Sequence, residues 1–89
     1  MDGWSIKKRA IAHYGKQKQL LKAVEEMAEL TKEILKYIDG ENNREKICEE
    51  MADVGIMLDQ MSIIFTAHDD VERWQEIKLD RLWMKMEKR

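Results

Sequence analysis

The feature that most restricts the fold of this chain is its lack of proline, combined with only four glycines among 89 residues. Proline and glycine interrupt helices most strongly, whereas Glu, Lys, Leu, Ala and Met, which favour helix, occur throughout the sequence. No linker or low-complexity segment divides the chain. We therefore predict an all-α fold that forms a single domain over residues 1–89.

Start and stop signals delimit the first two predicted helices. A first helix of about ten residues is expected to follow Asp2, which can act as its N-cap, and to stop near Gly15. A second helix is predicted from Lys16 to Ile38, because its apolar residues keep a helical spacing until Asp39-Gly40 breaks the pattern.

Two further helices complete the predicted architecture. The third is expected to begin at Asn42 or Asn43 and to continue to about Ala67, and the fourth to cover about Asp70 to Lys88. Their start signals are two pairs that resemble capping boxes, Asn42 with Glu45 and Asp69 with Glu72. The sequence thus predicts four helices joined by short loops.

The distribution of apolar side chains around the helices predicts that more than one chain is needed to cover them. The main stripe of the second helix comprises Leu20, Val24, Met27, Thr31, Ile34 and Ile38. One face of the third comprises Ile47, Met51, Val54, Leu58, Met61 and Phe65, and the opposite face Ala52, Ile56 and Ile63. A chain of this size buries only roughly 64% of its unfolded surface by folding alone. We therefore predict a helical-bundle homo-oligomer, either a homodimer or a homotetramer.

An acidic pentad occurs twice, as Glu25-Glu26-Met27-Ala28-Glu29 and as Glu49-Glu50-Met51-Ala52-Asp53. Carboxylates three residues apart share one face of a helix, so Glu26 with Glu29 and Glu50 with Asp53 form two pairs that can converge on a cation. Such hard oxygen ligands suit Mg²⁺, with Mn²⁺ as a substitute.

Glu50 is the most unusual of these carboxylates, because a helical wheel places it inside the apolar arc, between Val54 and Met57. Asp53 lies at the edge of that arc. A carboxylate turned toward a core needs a partner, which is either a divalent cation or a basic residue such as Lys78 or Arg81. Glu26 and Glu29 lie at a border of the second helix, beside a second apolar flank of Ala23, Leu30 and Tyr37.

With these motifs in view, residues 10–65 resemble the MazG-like all-α nucleoside triphosphate pyrophosphohydrolases, and in particular their small, phage-type, single-domain members. The family signature is Glu-Glu-x-x-Glu on one helix and Glu-x-x-Asp on the next, matched by Glu25 to Glu29 and by Glu50 to Asp53. The segments Tyr14 to Gln19 and Ala52 to Leu58 are also similar.

The resemblance implies an enzyme that hydrolyses a nucleoside triphosphate, NTP or dNTP, to the monophosphate and pyrophosphate with Mg²⁺, in nucleotide-pool house-cleaning. It implies Glu26, Glu29, Glu50 and Asp53 as metal ligands. Glu25 and Glu29 are both candidates to accept the proton of the attacking water, and Glu25 can instead orient a ligand. The Tyr-His that related phosphoribosyl-ATP pyrophosphohydrolases carry after this aspartate is absent, since Val54 follows Asp53.

Family members also use basic residues of their last helix to contact phosphates. Here Lys78, Arg81 and Lys85 recur on one face of the fourth predicted helix together with Trp74, which offers an aromatic surface to a base. A solvated helix face or pairing with acidic neighbours explains the same stripe. We keep Lys78, Arg81 and Trp74 as candidate nucleotide contacts.

Charge and composition limit the partners. A net charge of -2 gives no general attraction to nucleic acid, and no apolar run approaches the length of a membrane span. With no secretory signal evident and a single Cys48, a cytoplasmic location is expected. The alternative to an enzyme is a non-catalytic helical oligomerisation or regulatory module whose acidic pairs form salt bridges.

Overall fold

The computed structural model describes residues 1–88, and the regular secondary structure within that range is entirely α-helix. The four helices are α1 (Gly3–Tyr14), α2 (Lys16–Ile38), α3 (Arg44–Ile64) and α4 (His68–Glu87). No strand occurs among these residues, so the predicted all-α class and the number of helices are confirmed. None of the helices in this range is long and apolar enough to cross a membrane.

The start of α1 and its junction with α2 form as their residues predict. The Asp2 carboxylate accepts a hydrogen bond from the Ser5 backbone N–H at 2.8 Å and caps α1. Gly15 then adopts φ +92°, a conformation that residues with a Cβ rarely take, and this ends α1 and lets α2 begin at the next residue. The predicted limits of the first two helices are therefore confirmed.

The predicted starts of α3 and α4 are wrong in detail. Asn43 precedes α3, but its side chain does not cap the helix; its amide donates instead to the Glu33 carbonyl at 2.9 Å and to Glu33 Oε1 at 3.0 Å. Thr66 turns the chain with φ +50°, so α3 ends at Ile64 and α4 begins already at His68. Tertiary contacts and a left-handed turn thus replaced both expected capping boxes.

Helices α2 and α3 form an antiparallel hairpin whose register is visible in three polar contacts. Gln19 meets Gln60 at one end, and Glu33 meets Asn43 at the other. Between them Glu26 lies opposite Glu50 and Asp53. The apolar side chains buried in this hairpin are Ala23 and Met57, so its core is small.

The main apolar stripes predicted for α2 and α3 do not face the inside of this hairpin. Val24 is 60% exposed, Leu58 is 50% exposed and Ile38 is 71% exposed. Each stripe is rotated around its helix away from the buried side, and in an antiparallel pair these rotations turn both stripes to the same side. We call this surface the shared apolar face; it consists of Val24, Met27, Ile34, Ile38, Met51 and Leu58.

The remaining helices leave much of the chain uncovered. Helix α1 packs on α2 and α3, and Lys7 Nζ lies 2.6 Å from Asp59 Oδ2. Helix α4 approaches only α3 among the described helices and exposes nearly all of its side chains. The radius of gyration is 16.1 Å, against about 12 Å for a compact domain of this length. The chain therefore has an extended shape.

Candidate metal centre

Three carboxylates come together between the two hairpin helices. Glu50 and Asp53 are one turn apart on α3, and the antiparallel register places Glu26 of α2 opposite them. One oxygen from each of the three side chains lies within 4.8 Å of the other two. The structure therefore joins one member of the first acidic pentad to two members of the second.

Glu50 is the least satisfied member of this group. Its side chain is partly buried, and its Oε2 atom is shielded from solvent without a hydrogen-bond partner. Burial is the main cause that raises the pKa of Glu50, and the negative charges of Glu26, Asp53 and Glu29 raise it further. The sequence-based prediction that Glu50 turns toward the core is confirmed.

Asp53 is exposed, but the same neighbours raise the pKa of its carboxyl group. Partial loss of hydration is the largest cause that raises the pKa of Asp53, and the charge of Glu26 is the next. Both α3 carboxylates therefore resist ionisation at this position. A cation bound between them would offset these causes and favour the ionised carboxylates.

Lys22 is the cation that the structure places at this group. Its Nζ lies 3.1 Å from Glu26 Oε1, one helical turn along α2, and the Glu26 side chain is 13% exposed. The contact with Glu26 is the main cause that raises the pKa of Lys22, so the amine remains charged. One lysine faces three carboxylates, and negative charge is left over.

The other acidic residues of the two pentads lie outside this group of three. Glu29 is exposed, and its oxygens do not belong to the group, although its charge contributes to the raised pKa of Glu50. Glu25 is exposed and lines a groove beside Lys22. Glu49 is exposed. Of the four ligands implied by the family resemblance, the structure brings together Glu26, Glu50 and Asp53.

The candidate nucleotide contacts on α4 are not brought to the carboxylates within one protomer. In the described part of the chain α4 does not approach α2, and Trp74, Lys78 and Arg81 are exposed. Neither Lys78 nor Arg81 forms an ion pair with the three carboxylates. The ion pairs considered for Glu50 are therefore not formed within the protomer.

The carboxylate group fits a divalent cation in both chemistry and size. Two oxygens on opposite sides of an octahedral Mg²⁺ lie about 4.2 Å apart. The three carboxylate oxygens lie within 4.8 Å of one another, so they are close enough to share one cation. The buried, unpartnered Oε2 of Glu50 provides a free ligand atom. Hard carboxylate donors favour Mg²⁺ or Mn²⁺ over softer metals.

A second set of possible ligands, His68, Asp69 and Glu72, lies at the start of α4. All three residues are exposed, and His68 Nε2 lies 3.7 Å from Glu72 Oε2. Exposed polar groups at a helix start are satisfied by water, so this set lacks the buried free oxygen that distinguishes the group around Glu50.

Sequence reasoning missed two parts of the surroundings. Lys22 stands four residues before Glu26, a spacing that favours an ion pair on a helix and could have been used. The pairing of Gln19 with Gln60 has no local signal. No family model, curated protein or solved structure matches this chain.

Proposed function

We propose that this chain is a subunit of a Mg²⁺-dependent nucleoside triphosphate pyrophosphohydrolase of the MazG-like type. The substrate would be an NTP or dNTP, and the products the nucleoside monophosphate and pyrophosphate. The reaction would serve nucleotide-pool house-cleaning in the cytoplasm, a reducing compartment that suits the free, exposed Cys48.

The carboxyl group of Glu50 carries this proposal. A buried oxygen without a hydrogen-bond partner is costly, and here two more carboxylates lie beside it. Such an arrangement persists when a ligand satisfies it, and a divalent cation is the ligand that three carboxylates favour. The same three residues are members of the Glu-Glu-x-x-Glu and Glu-x-x-Asp motifs, so geometry and motif support one site.

A divalent cation bound here supplies Lewis-acid chemistry, because it neutralises phosphate charge and lowers the pKa of a coordinated water. Glu26, Glu50 and Asp53 would hold the cation, and Glu29 lies close enough for its charge to act on Glu50. Glu25 and Glu29 are the exposed carboxylates available to accept the proton of the attacking water. Lys22 would orient Glu26 or a phosphate oxygen.

The proposed enzyme is a homodimer or homotetramer. The shared apolar face supports this, because six large apolar side chains lie together and exposed on one side of the α2–α3 hairpin. Two hairpins that join through this face form a four-helix bundle. Trp74, Lys78 and Arg81 would then contact a nucleotide only across a subunit boundary, because α4 leads away from its own α2.

The test is pyrophosphate release from a panel of NTPs and dNTPs with and without Mg²⁺, using the Glu50→Gln variant and the matched control Glu49→Gln. Both variants remove one acidic charge from adjacent positions of α3, but the Glu49 side chain is exposed. We expect Glu50→Gln to abolish turnover and Glu49→Gln to retain most of it. No release from folded, Mg²⁺-saturated wild-type protein would refute the proposal.

The non-catalytic oligomerisation or regulatory module is the second candidate, and the ion pair between Lys22 and Glu26 favours it. The two functions differ in their response to Mg²⁺. A metal site raises the melting temperature until it saturates at millimolar or lower Mg²⁺. The stability of an ion-pair network depends on ionic strength alone, so NaCl at equal ionic strength changes the melting temperature as much as Mg²⁺ does.

A further inference from the structure

A groove runs beside the carboxylate group along α2. Its volume is about 540 Å³, within the range of small-molecule sites, and its lining includes Tyr14, Lys18, Gln19, Lys22 and Met57. Lys22 belongs to the groove and to the carboxylate group at once, because it also pairs with Glu26. The groove and the candidate metal centre therefore share Lys22.

A buried, uncharged pair of amides includes one residue of the groove lining, Gln19, and its partner Gln60. Gln19 and Gln60 are only 8% and 4% exposed, and the Gln19 amide donates to Gln60 Oε1 at 2.6 Å. A primary amide can donate twice and accept twice, so this bond leaves each amide with unused capacity. Gln19, which lines the groove, still offers its carbonyl oxygen and its second N–H to a ligand. Because one glutamine must donate to the other, a donor and an acceptor remain whichever way the amides are assigned.

An aromatic ring stands at the far end of the groove. Tyr14 is the last residue of α1, and the turn at Gly15 places it where α2 begins. Tyr14 is 57% exposed. The His13 ring packs against the Tyr14 ring edge to face, with the ring centroids 4.6 Å apart. An exposed aromatic ring at this position can stack on a planar ligand.

Resting on the proposed function, we propose that this groove binds the nucleobase of the substrate. The base stacks on Tyr14 and hydrogen-bonds to Gln19, while Lys22, which lies between Gln19 and Glu26 on α2, is on the side of the phosphates. From Gln19 to Glu26 the axis of α2 rises about 10 Å, a separation that a nucleotide bridges between its base and its outer phosphates. Gln60 is a positioning residue, because it fixes the Gln19 amide without lining the groove.

The first test uses Tyr14→Leu, with Tyr14→Phe and Tyr37→Leu as controls. Tyr37 is also on the surface, 58% exposed, but lies near the other end of α2. Binding of nucleoside 5′-monophosphates is measured by isothermal titration calorimetry without metal. Stacking on an aromatic ring accounts for about a fivefold or larger change in affinity. We expect that loss in Tyr14→Leu only, with Tyr14→Phe and Tyr37→Leu near wild type.

The second test asks for base selectivity. Gln19→Leu should level the relative kcat/KM values across the nucleotide panel and raise KM more than it lowers kcat, while Gln19→Glu should change the order of preference. Circular dichroism reports whether each variant folds. If Gln19→Leu unfolds the chain, Gln60→Leu, which leaves the groove lining intact but frees the Gln19 amide, should weaken selectivity in the same direction.

The outcomes separate this site from the proposed activity. Pyrophosphate release that continues with unchanged base preference and affinity in folded Tyr14 and Gln19 variants would overturn the groove assignment and leave the activity standing. If no nucleotide is hydrolysed, the calorimetry decides alone: monophosphate binding that Tyr14→Leu weakens supports the groove, and no binding to wild-type protein at millimolar monophosphate overturns it.

Discussion

A charged residue in the shared apolar face should prevent the proposed association of subunits. Val24 lies in the middle of α2 on that face and is 60% exposed in one protomer. We expect Val24→Asp to shift the protein from a dimer or tetramer to a monomer with the chain mass of 10.6 kDa. The reason is that the substitution replaces an apolar contact with a carboxylate that has no partner in the interface.

The size of the expected interface follows from the surface area. One protomer exposes 7537 Å², whereas a monomeric protein of this mass exposes about 5,500 Å². If association covers the excess, each subunit buries about 2,000 Å² and a pair about 4,000 Å², which lies in the range of obligate homodimers.

The effect of the substitution is large enough to measure. Losing a buried Val contact costs about 1.5 kcal/mol or more, and an unpaired buried charge adds several kcal/mol. A two-fold interface contains the change twice. We therefore expect the association free energy to weaken by at least about 5 kcal/mol, which raises the dissociation constant by more than about a thousandfold.

Light scattering coupled to size-exclusion chromatography at micromolar concentration measures the mass directly. The control is Lys32→Asp, which makes a larger charge change on the same helix at an exposed position opposite Ala23. It should keep the wild-type mass. If Val24→Asp does not fold, the melting temperature of the wild type should still rise with protein concentration. A folded wild-type protein of monomeric mass, with a concentration-independent melting temperature, would refute the reasoning.

Three further predictions concern single side chains. Glu50→Gln should remove the Mg²⁺-induced rise in melting temperature. It should not destabilise the metal-free protein, because it relieves repulsion from Glu26 and Asp53. Scanning fluorimetry with and without Mg²⁺ measures both effects, and a lower melting temperature of the metal-free variant would contradict the geometry. Asn43→Leu should lower the melting temperature by several degrees, since hydrogen bonds to charged groups contribute about 1.5–3 kcal/mol. The hydrogen bond from Asn43 is the main cause that lowers the pKa of Glu33 below its ordinary 4.5. A lowered carboxyl pKa stabilises the folded protein fully above pH 4.5 and less as the pH falls through the lowered value. The difference in melting temperature between wild type and Asn43→Leu should therefore shrink below about pH 4. A difference that stays constant from pH 7 to 3 would contradict this.

Local chemistry explains which features of the fold were predictable. Gly15 and the Asp39-Gly40 pair end helices through their own conformational preferences, so the limits of α1 and α2 could be predicted from neighbouring residues alone. The start of α3 could not, because Asn43 uses its amide on Glu33, ten residues away in sequence. A cap that takes part in a tertiary contact has no local signature.

The apolar stripes show a different limit. A helical wheel identifies Val24 and Leu58 as members of apolar faces, and both residues do belong to the shared apolar face. The wheel does not say whether such a face is covered by the same chain or by another one. In this chain the side of α2 that meets α3 contains Gln19, Ala23 and Glu33, a mixture that apolar periodicity does not select.

The candidate site was predictable in proportion to how much of it lies on one helix. Glu50 and Asp53 share a face of α3, and their position relative to the apolar arc follows from spacing. Glu26 depended more on the motif resemblance, because its approach to Glu50 depends on the register of the hairpin. The pairing of Gln19 with Gln60 depends on the same register, across 41 residues.

The position of the carboxylates explains why the proposed subunit contacts would affect a site that contains no residue of the shared apolar face. The three carboxylates lie between α2 and α3 of one protomer, so their geometry depends on that hairpin staying closed. Its buried apolar core consists of little more than Ala23 and Met57, and the like charges of the site oppose closure. Burial of the shared apolar face by a second subunit and neutralisation of Glu50 by a cation both favour the closed hairpin. Each should therefore strengthen the other, since two ligands that stabilise the same state are thermodynamically linked.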